Sequence, residues 1–510
     1  MDIGGGSTGE QGNTAVAPGE GSVADAGYEY EEDAGSPPPV DESGAPVPEP
    51  PVEDPTETDP ERPEIEENDW VDTAEDNLAT FSIDVDTASY TLAEQLLIAG
   101  QLPDPYTVRT EEFINYFDYG YAEPKYGDDA PFSIEMEAAP SYFGDGHQLL
   151  RVSIQAAVVD PDDRLPASLV FLVDTSGSMS AELPLVQESM RILLDHLHED
   201  DSVAIVSYAQ SPTTVLNPTP GSDRTTIEAA IDSLASGGST GGEGGIRAAY
   251  DLADSVFVEA GVNRVILTTD GDFNVGLSGQ ALWDMISDFR ERDIYLTGLL
   301  VGTSAYGDTE MEFLTNLGNG NYYAIANVAA AREFFDENFV GILQVVAKDV
   351  KIQVELNPEV VARYRIVGYD NRVLEDWEFN DDTRDAGEVG AGQNVTAFIE
   401  YELHDGIEDL SEDALIAAVN IRYKPMGADE SVLLENTVLL PAIRASFDDA
   451  SDSFRWAAAV TELAEILKGS MHTEGARFED IEVIAAGAVE GVTDPSSFLV
   501  LLDAAAALLE

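Results

Sequence analysis

Between residues 168 and about 345, short apolar runs alternate with longer amphipathic stretches. SLVFLVD (168–174), SVAIVSYA, RVILTTD and IYLTGLLVG are near-continuously apolar, which predicts strands buried on both sheet faces. PLVQESMRILLDHL, GIRAAYDLADSVFVEA, QALWDMISDFRERD and MEFLTNLG carry helical periodicity, and AAAREFFDENFVGILQVV predicts a long final helix. Strict strand–helix alternation predicts an α/β fold: a Rossmann-like, mostly parallel, doubly wound sheet with helices on both faces.

The flanks follow other periods. From Trp70 to Ala167, TASYTLAEQLLIAG predicts a helix opened by Thr87 or Asp86 and closed by Gly100. EEFINYFDYGY predicts a second short helix, and PFSIEMEAA and HQLLRVSIQAAVV predict strands. Beyond Ala347, KIQVELNP, RYRIVGY, NVTAFIEYEL, LIAAVNIRYK and SVLLENTVLL alternate apolar and polar positions as half-buried antiparallel strands do. SFRWAAAVTELAEILKG and PSSFLVLLDAAAALL then read as helices. The first residues, rich in Gly, Ser, Pro, Glu and Asp, have too little apolar surface to offset chain entropy. The expected organisation is an acidic disordered tether (1–68), a small α+β region (69–167), the α/β domain (168–346) and a β-sandwich-like domain with terminal helices (347–510).

Charge narrows the partners. The chain has 99 acidic against 24 basic residues, a net of −75. Residues 1–69 contribute 20 acidic residues and one basic residue, Arg62, so most of the excess belongs to the remainder. Such a surface repels nucleic-acid phosphates and anionic lipid headgroups. It suits a salt-adapted protein, whose self-repulsion is screened, and equally an acidic secreted one. The absence of cysteine excludes disulfides, thiol catalysis and thiolate metal sites. No apolar run reaches the roughly 20 residues of a membrane span. The start, MDIGGGSTGEQGN, lacks the basic and apolar regions of a signal peptide, which taken literally gives a cytoplasmic protein. The acidic low-complexity stretch also looks like the spacer behind a lipid-modified N-terminus whose leader has been removed.

The strand SLVFLVD runs straight into Asp174-Thr175-Ser176-Gly177-Ser178, beyond the carboxyl end where open α/β sheets bind ligands. Thr240 lies in a glycine-rich loop before a helix, and Asp270 ends RVILTTD. Brought together, Asp174, Ser176, Ser178, Thr240 and Asp270 make an all-oxygen site for a hard cation. Mg2+ suits it, in octahedral geometry at about 2.0–2.1 Å, with waters kept where a partner oxygen can enter. Mn2+ and Ca2+ are the alternatives. The competing reading is that these residues only cap helices.

DTSGSM, GGST and TTDG resemble the metal-ion-dependent adhesion site of von Willebrand factor type A domains, with its elements in family order. The resemblance implies that Ser176, Ser178 and Thr240 ligate the ion directly. Asp174 and Asp270 act directly or through water, and a partner's Asp or Glu carboxylate completes the shell. SIDVDTASY, VRTEEFINYFDYGY, AGQNVTAFIEYEL and FRWAAAVTELAEILKGS extend the resemblance to bacterial YfbK-like proteins, over most of residues 70–510. These join an N-terminal segment, the type A domain and a C-terminal domain, often as lipoproteins. That implies a place in the cell envelope or outside the cell, although this chain carries no lipobox cysteine.

Other residues have quieter explanations. Glu243 complements a helix dipole, and Asp272 is a turn residue near the site. Asp84 and Asp86 mimic the metal motif without its partners and are read as a helix cap. His196 and His198 sit at a helix end with no third ligand. Phe113, Tyr116, Phe117, Tyr119 and Tyr121 fit the core of a small domain, and the Asn394-Val395-Thr396 sequon falls on a presumed strand. The expected function is divalent-metal-dependent binding of a protein partner, not catalysis, since no general base has a clear claim. The alternatives are an envelope scaffold that does not use the metal for binding and a metal-dependent hydrolase.

Overall fold

A computed structural model describes residues 67–509, apart from 126, 128–129, 145, 240–241, 272–279, 303–307, 407–413, 429, 474–475, 490–491 and 493–494. The expected tether lies outside the described residues except for its last two positions. The chain opens with β1 (Val71–Asp72), β2 (Leu78–Ser82), α1 (Ala88–Ile98), α2 (Thr110–Ile114), β3 (Phe132–Pro140) and β4 (His147–Ala156). The α/β portion begins with β5 (Ala167–Asp174), α3 (Leu183–Leu194), β6 (Ser202–Tyr208), β7 (Thr213–Pro220), α4 (Arg224–Asp232) and α5 (Gly242–Ser255). It continues with β8 (Val262–Thr269), α6 (Gln280–Arg290), β9 (Ile294–Val301), α7 (Asp308–Leu317), β10 (Tyr322–Ile325) and α8 (Val328–Leu343). Then come β11 (Val345–Leu356), β12 (Val361–Val367), β13 (Gly387–Gly390), β14 (Asn394–Leu403), β15 (Leu415–Pro425) and β16 (Val432–Leu439). Helices α9 (Asp452–Lys468), α10 (Phe478–Ala486) and α11 (Pro495–Leu509) end the described chain.

The α/β sheet has the order β10-β9-β8-β5-β6-β7. All its pairings are parallel except β7 with β6. Every residue of β5 is buried. Leu169, Phe171 and Val173 enter the core shared with α3, α4 and α8, while Val170 and Leu172 enter the one shared with α5, α6 and α7. One strand thus feeds two cores through its two-residue period, each large side chain contributing about 1.5–3 kcal/mol on full burial. The pattern did not predict β7 or α4. The run TTVLNPTP is largely exposed, and its two prolines are tolerated because β7 is an edge strand.

The remaining strands form two antiparallel sheets, one ordered β1-β12-β14-β4-β3 and one ordered β13-β11-β15-β16 with β2 also on β11. Strands of the 69–167 and 347–510 segments pair with one another: β4 runs beside β14 from Gln155↔Asn394 to His147↔Glu402, and β2 beside β11. The α/β portion is therefore inserted, between β4 and β11, into a sandwich built from both flanks. Leu150, Val152, Ile154, Val395 and Ile399 fill the space between its sheets. Leu149 and Phe398 point the other way, into a layer made by α1, α2, α9, α10 and α11. Phe113, Phe117, Tyr119 and Tyr121 are buried in that layer, with Phe117 edge-on to Trp456 at 5.7 Å, and Tyr116 stacks on Tyr90 at 4.0 Å. Among the described residues no helix is long and apolar enough to cross a membrane.

Candidate metal centre at the strand ends

The chain builds β6 and β7 on one side of β5, then crosses to build β8, β9 and β10 on the other. This reversal opens a crevice beyond the carboxyl ends of β5 and β8, the position where such sheets hold ligands. Asp174, the last residue of β5, is fully buried. Register sets it against Tyr208 on one side, and Val173 against Thr268 on the other, so Thr269 and Asp270 follow at the same level.

Each oxygen of Asp174 is held by neutral donors. Oδ1 accepts the Ser176 N–H at 2.8 Å, and Oδ2 accepts the hydroxyls of Tyr208 at 3.2 Å and Thr269 at 3.3 Å. The Ser176 and Ser178 hydroxyls lie 3.0 Å apart. The Gly177 N–H donates to the Gly238 carbonyl at 3.1 Å and the Gly237 N–H to the Thr175 carbonyl at 2.8 Å, which ties the loop leading to Thr240 onto the β5 loop. Gly238 has φ +95° and Gly271, just after Asp270, φ +90°, backbone that a side chain would strain. Thr240 and Asp272 themselves lie outside the described residues.

Burial pushes the Asp174 carboxyl above its usual range, and the nearby Asp270 anion pushes it further, against the hydrogen bonds from Ser176 and Tyr208. Burial and then Asp174 push the Tyr208 phenol well up, so it stays a neutral donor. The charge acting on Asp174 is thus a second anion, and the gathered donors are all oxygens. That donor chemistry fits a hard divalent cation. Four of the five predicted residues, Asp174, Ser176, Ser178 and Asp270, stand at this one corner. Tyr208 and Thr269, which fix the carboxylate, were not singled out from the sequence; the Thr269 signal was the polar step before Asp270.

The other candidates are placed elsewhere. Glu243, in the first turn of α5, pairs with Arg247 at 3.0 Å. His196 pairs with Asp336 at 3.1 Å. The cap assigned to Asp84 and Asp86 is corrected: Thr87 is the N-cap of α1, without a side-chain bond. Asp84 instead pairs with Arg372 at 2.8 Å, and Asp86 accepts the Tyr322 N–H at 2.8 Å. Their carboxylates belong to a buried network with Arg109, which pairs with Glu112, with Asp308 at 2.6 Å and with Glu312 at 3.2 Å. Asp84, Glu112 and Glu312 lie within 4.8 Å of one another, a spacing open to a cation, but two guanidiniums already sit among them.

Family models match three stretches: von Willebrand factor over residues 57–151, von Willebrand factor type A domain over 169–272, and the C-terminal region of the uncharacterized protein YfbK over 341–508. The uncharacterized protein YfbK of Escherichia coli (strain K12) is 36% identical over 441 residues, covering 82% of this chain and 76% of that one. The uncharacterized protein sll0103 of Synechocystis is 26% identical over 217 residues, covering 41% and 50%. A solved structure, von Willebrand factor type A from Catenulispora acidiphila, aligns with TM-score 0.44 at 16% identity, covering 73% of this chain and 89% of that one.

Proposed function

The chain belongs to the YfbK family of proteins with a von Willebrand factor type A domain, and from that premise we propose that its strand-end corner binds a protein partner through a divalent cation, without catalysis. The observation that carries this reading is the convergence of a buried Asp174 carboxylate with the Ser176 and Ser178 hydroxyls, 3.0 Å apart, beside Asp270. Asp174, Ser176, Ser178 and Asp270, with Thr240 from the adjoining loop, would hold Mg2+, Mn2+ or Ca2+. Bound there, the cation supplies a coordination position for an Asp or Glu carboxylate of the partner. Tyr208 and Thr269 hold the Asp174 carboxylate through its Oδ2, and the Gly238 carbonyl ties the neighbouring loop to Gly177. Among the described residues the titratable side chain hydrogen-bonded to Asp174 is the Tyr208 phenol, held neutral and so unsuited to act as a general base. We assign the protein to the cell envelope or exterior on the family resemblance and on its acidic N-terminal segment.

An acidic partner group must approach a chain of net charge −75. Short-range coordination prevails once salt screens that field. Capture of the partner from source-cell envelope extract, in Mg2+ against EDTA and with Asp174→Ala as control, tests the reading. Binding should require both the cation and Asp174, and should hold or strengthen as salt rises. Binding that survives both EDTA and Asp174→Ala favours a scaffold role, and a steep loss with salt contradicts the screening argument.

A further inference from the structure

A cavity of about 340 Å3 lies between the outer face of the first sandwich sheet and α9. Ligand pockets begin near this size, which suits a small organic molecule. Its inner end is acidic. Glu462 is 8% exposed, and its Oε1 has no hydrogen-bond partner among the described residues. Glu400 and Glu465 stand beside it, already bridged by Arg365, whose Nε donates to Glu400 at 2.6 Å and Nη1 to Glu465 at 3.3 Å. His147 Nδ1 is also taken by Glu400, at 2.8 Å. His472 adds no charge, since burial lowers its pKa and leaves it neutral. Three carboxylates therefore face one guanidinium and one engaged histidine, and the carboxylate left over is Glu462. Burial first, then Glu465 and Glu400, push it up to about 8, with Arg365 opposing.

Elsewhere the wall mixes apolar side chains with Ser141 and Thr461. Phe398 is fully buried, Phe143 and Leu149 flank it, and Met471, 70% exposed, stands at the mouth. Among the described residues the carboxylates and histidines here do not converge at metal-ligand spacing. A buried carboxyl oxygen without a partner favours an amine, whose N–H groups satisfy it and whose charge stabilises the carboxylate once the proton leaves. A carboxylate ligand would instead meet Glu400 and Glu465, whose partners hold them ionised. We propose that this cavity binds a small organic cation, an amine whose ammonium rests on Glu462 and whose apolar body packs against Phe143 and Leu149.

The test is calorimetric titration of the full chain with phenethylamine, 2-phenylethanol and 3-phenylpropionate. Phenethylamine should bind with a dissociation constant below about 1 mM, and the neutral and anionic analogues at least about tenfold more weakly. Below about pH 8, binding should release protons as Glu462 ionises, read as heat that varies with buffer. Glu462→Gln should weaken phenethylamine by about tenfold or more. Should that variant not fold, Met471→Trp at the exposed mouth hinders access and should lower affinity. The proposal is overturned by phenylpropionate binding as well as the amine, by unchanged affinity in either folded variant, or by no amine binding in the millimolar range.

Discussion

The chain carries two fragments that look alike, Asp84-Val85-Asp86-Thr87-Ala88-Ser89 leading into α1 and Asp174-Thr175-Ser176-Gly177-Ser178 leading out of β5. Their surroundings differ. The first lies where the sandwich meets the inserted α/β portion, with Arg372 on Asp84 and Arg109 joining Glu112 to Asp308 and Glu312 of α7. The second is held by a backbone N–H and two hydroxyls, with a further anion as its charged neighbour. Spacing of carboxylates and hydroxyls does not decide what such a fragment does. The first has its counter-charges built in and acts as a fastener between two portions of the chain, whereas the second sets one carboxylate beside another, the arrangement on which the proposed cation site rests.

Removing a counter-charge from the fastener should have the largest effect. Arg109→Met leaves Glu112, Asp308 and Glu312 buried around an apolar side chain, and breaking a buried pair this way costs about 3–5 kcal/mol. Urea unfolding should show that loss, while Asp174→Asn, which disturbs hydrogen bonds from neutral donors and relieves the repulsion from Asp270, should cost metal-free stability no more than about 1.5 kcal/mol. Comparable losses in both variants would erase the distinction between the two regions.

The fastener also predicts a pH dependence. Glu111, adjoining it on α2, is pushed by burial, then by Asp84 and Asp370, from 4.5 to about 7. Its folded value lies above its unfolded one, so its contribution is fully present below about pH 4.5 and is lost as pH rises to about 7. Glu111→Gln, which mimics the protonated form and keeps an acceptor for the Tyr369 N–H, removes that dependence. Measured against wild type across this window, the variant should gain stability by up to about 3 kcal/mol, at about 1.4 kcal/mol per pH unit. A flat difference would mean that Glu111 is already ionised in the folded protein.

The strand-end site was more legible than the fastener for a physical reason. Its donors follow buried strands whose continuous apolar runs announce themselves, and parallel register brings the ends of β5 and β8 together. The fastener joins Arg109, Asp308 and Arg372, residues far apart in sequence whose meeting depends on the docking of α2 against α7, and no period encodes that. The same limit hid the shared sandwich. Alternation in NVTAFIEYEL shows which face is buried, but not that its neighbour is HQLLRVSIQA, on the far side of the inserted portion. Short or exposed elements such as β7, β10 and β13 left too few periodic positions to read, and α10 was likewise passed over. AAAREFFDENFVGILQVV ran two elements together, because α8 gives way to β11 at Val345 without a polar break.

Metal dependence should come next in size. With Mg2+ at about 100 times its dissociation constant, wild type should gain about 2.7 kcal/mol of unfolding free energy, and Asp174→Ala should gain none. Thermal unfolding in Mg2+ against EDTA reads this without a partner. An equal gain in Asp174→Ala would move the cation away from the strand ends, and Asp84→Asn would then show whether the fastener holds it.

The smallest expected effect concerns Glu243, the acidic residue nearest Thr240 in sequence. Its side chain is 51% exposed and pairs with Arg247 one turn along α5. An exposed i,i+4 pair of this kind is worth about 0.3–0.5 kcal/mol, and salt screens it further. Glu243→Gln should therefore cost no more than that in stability and change Mg2+ affinity by less than about twofold, which is about 0.4 kcal/mol. Calorimetric titration of Mg2+ into both proteins measures the ratio. A loss of about tenfold or more would make Glu243 a ligand rather than a helix-end charge. The strand-end site would then hold three carboxylates, which favours Ca2+ over Mg2+ and leaves less room for a partner's carboxylate.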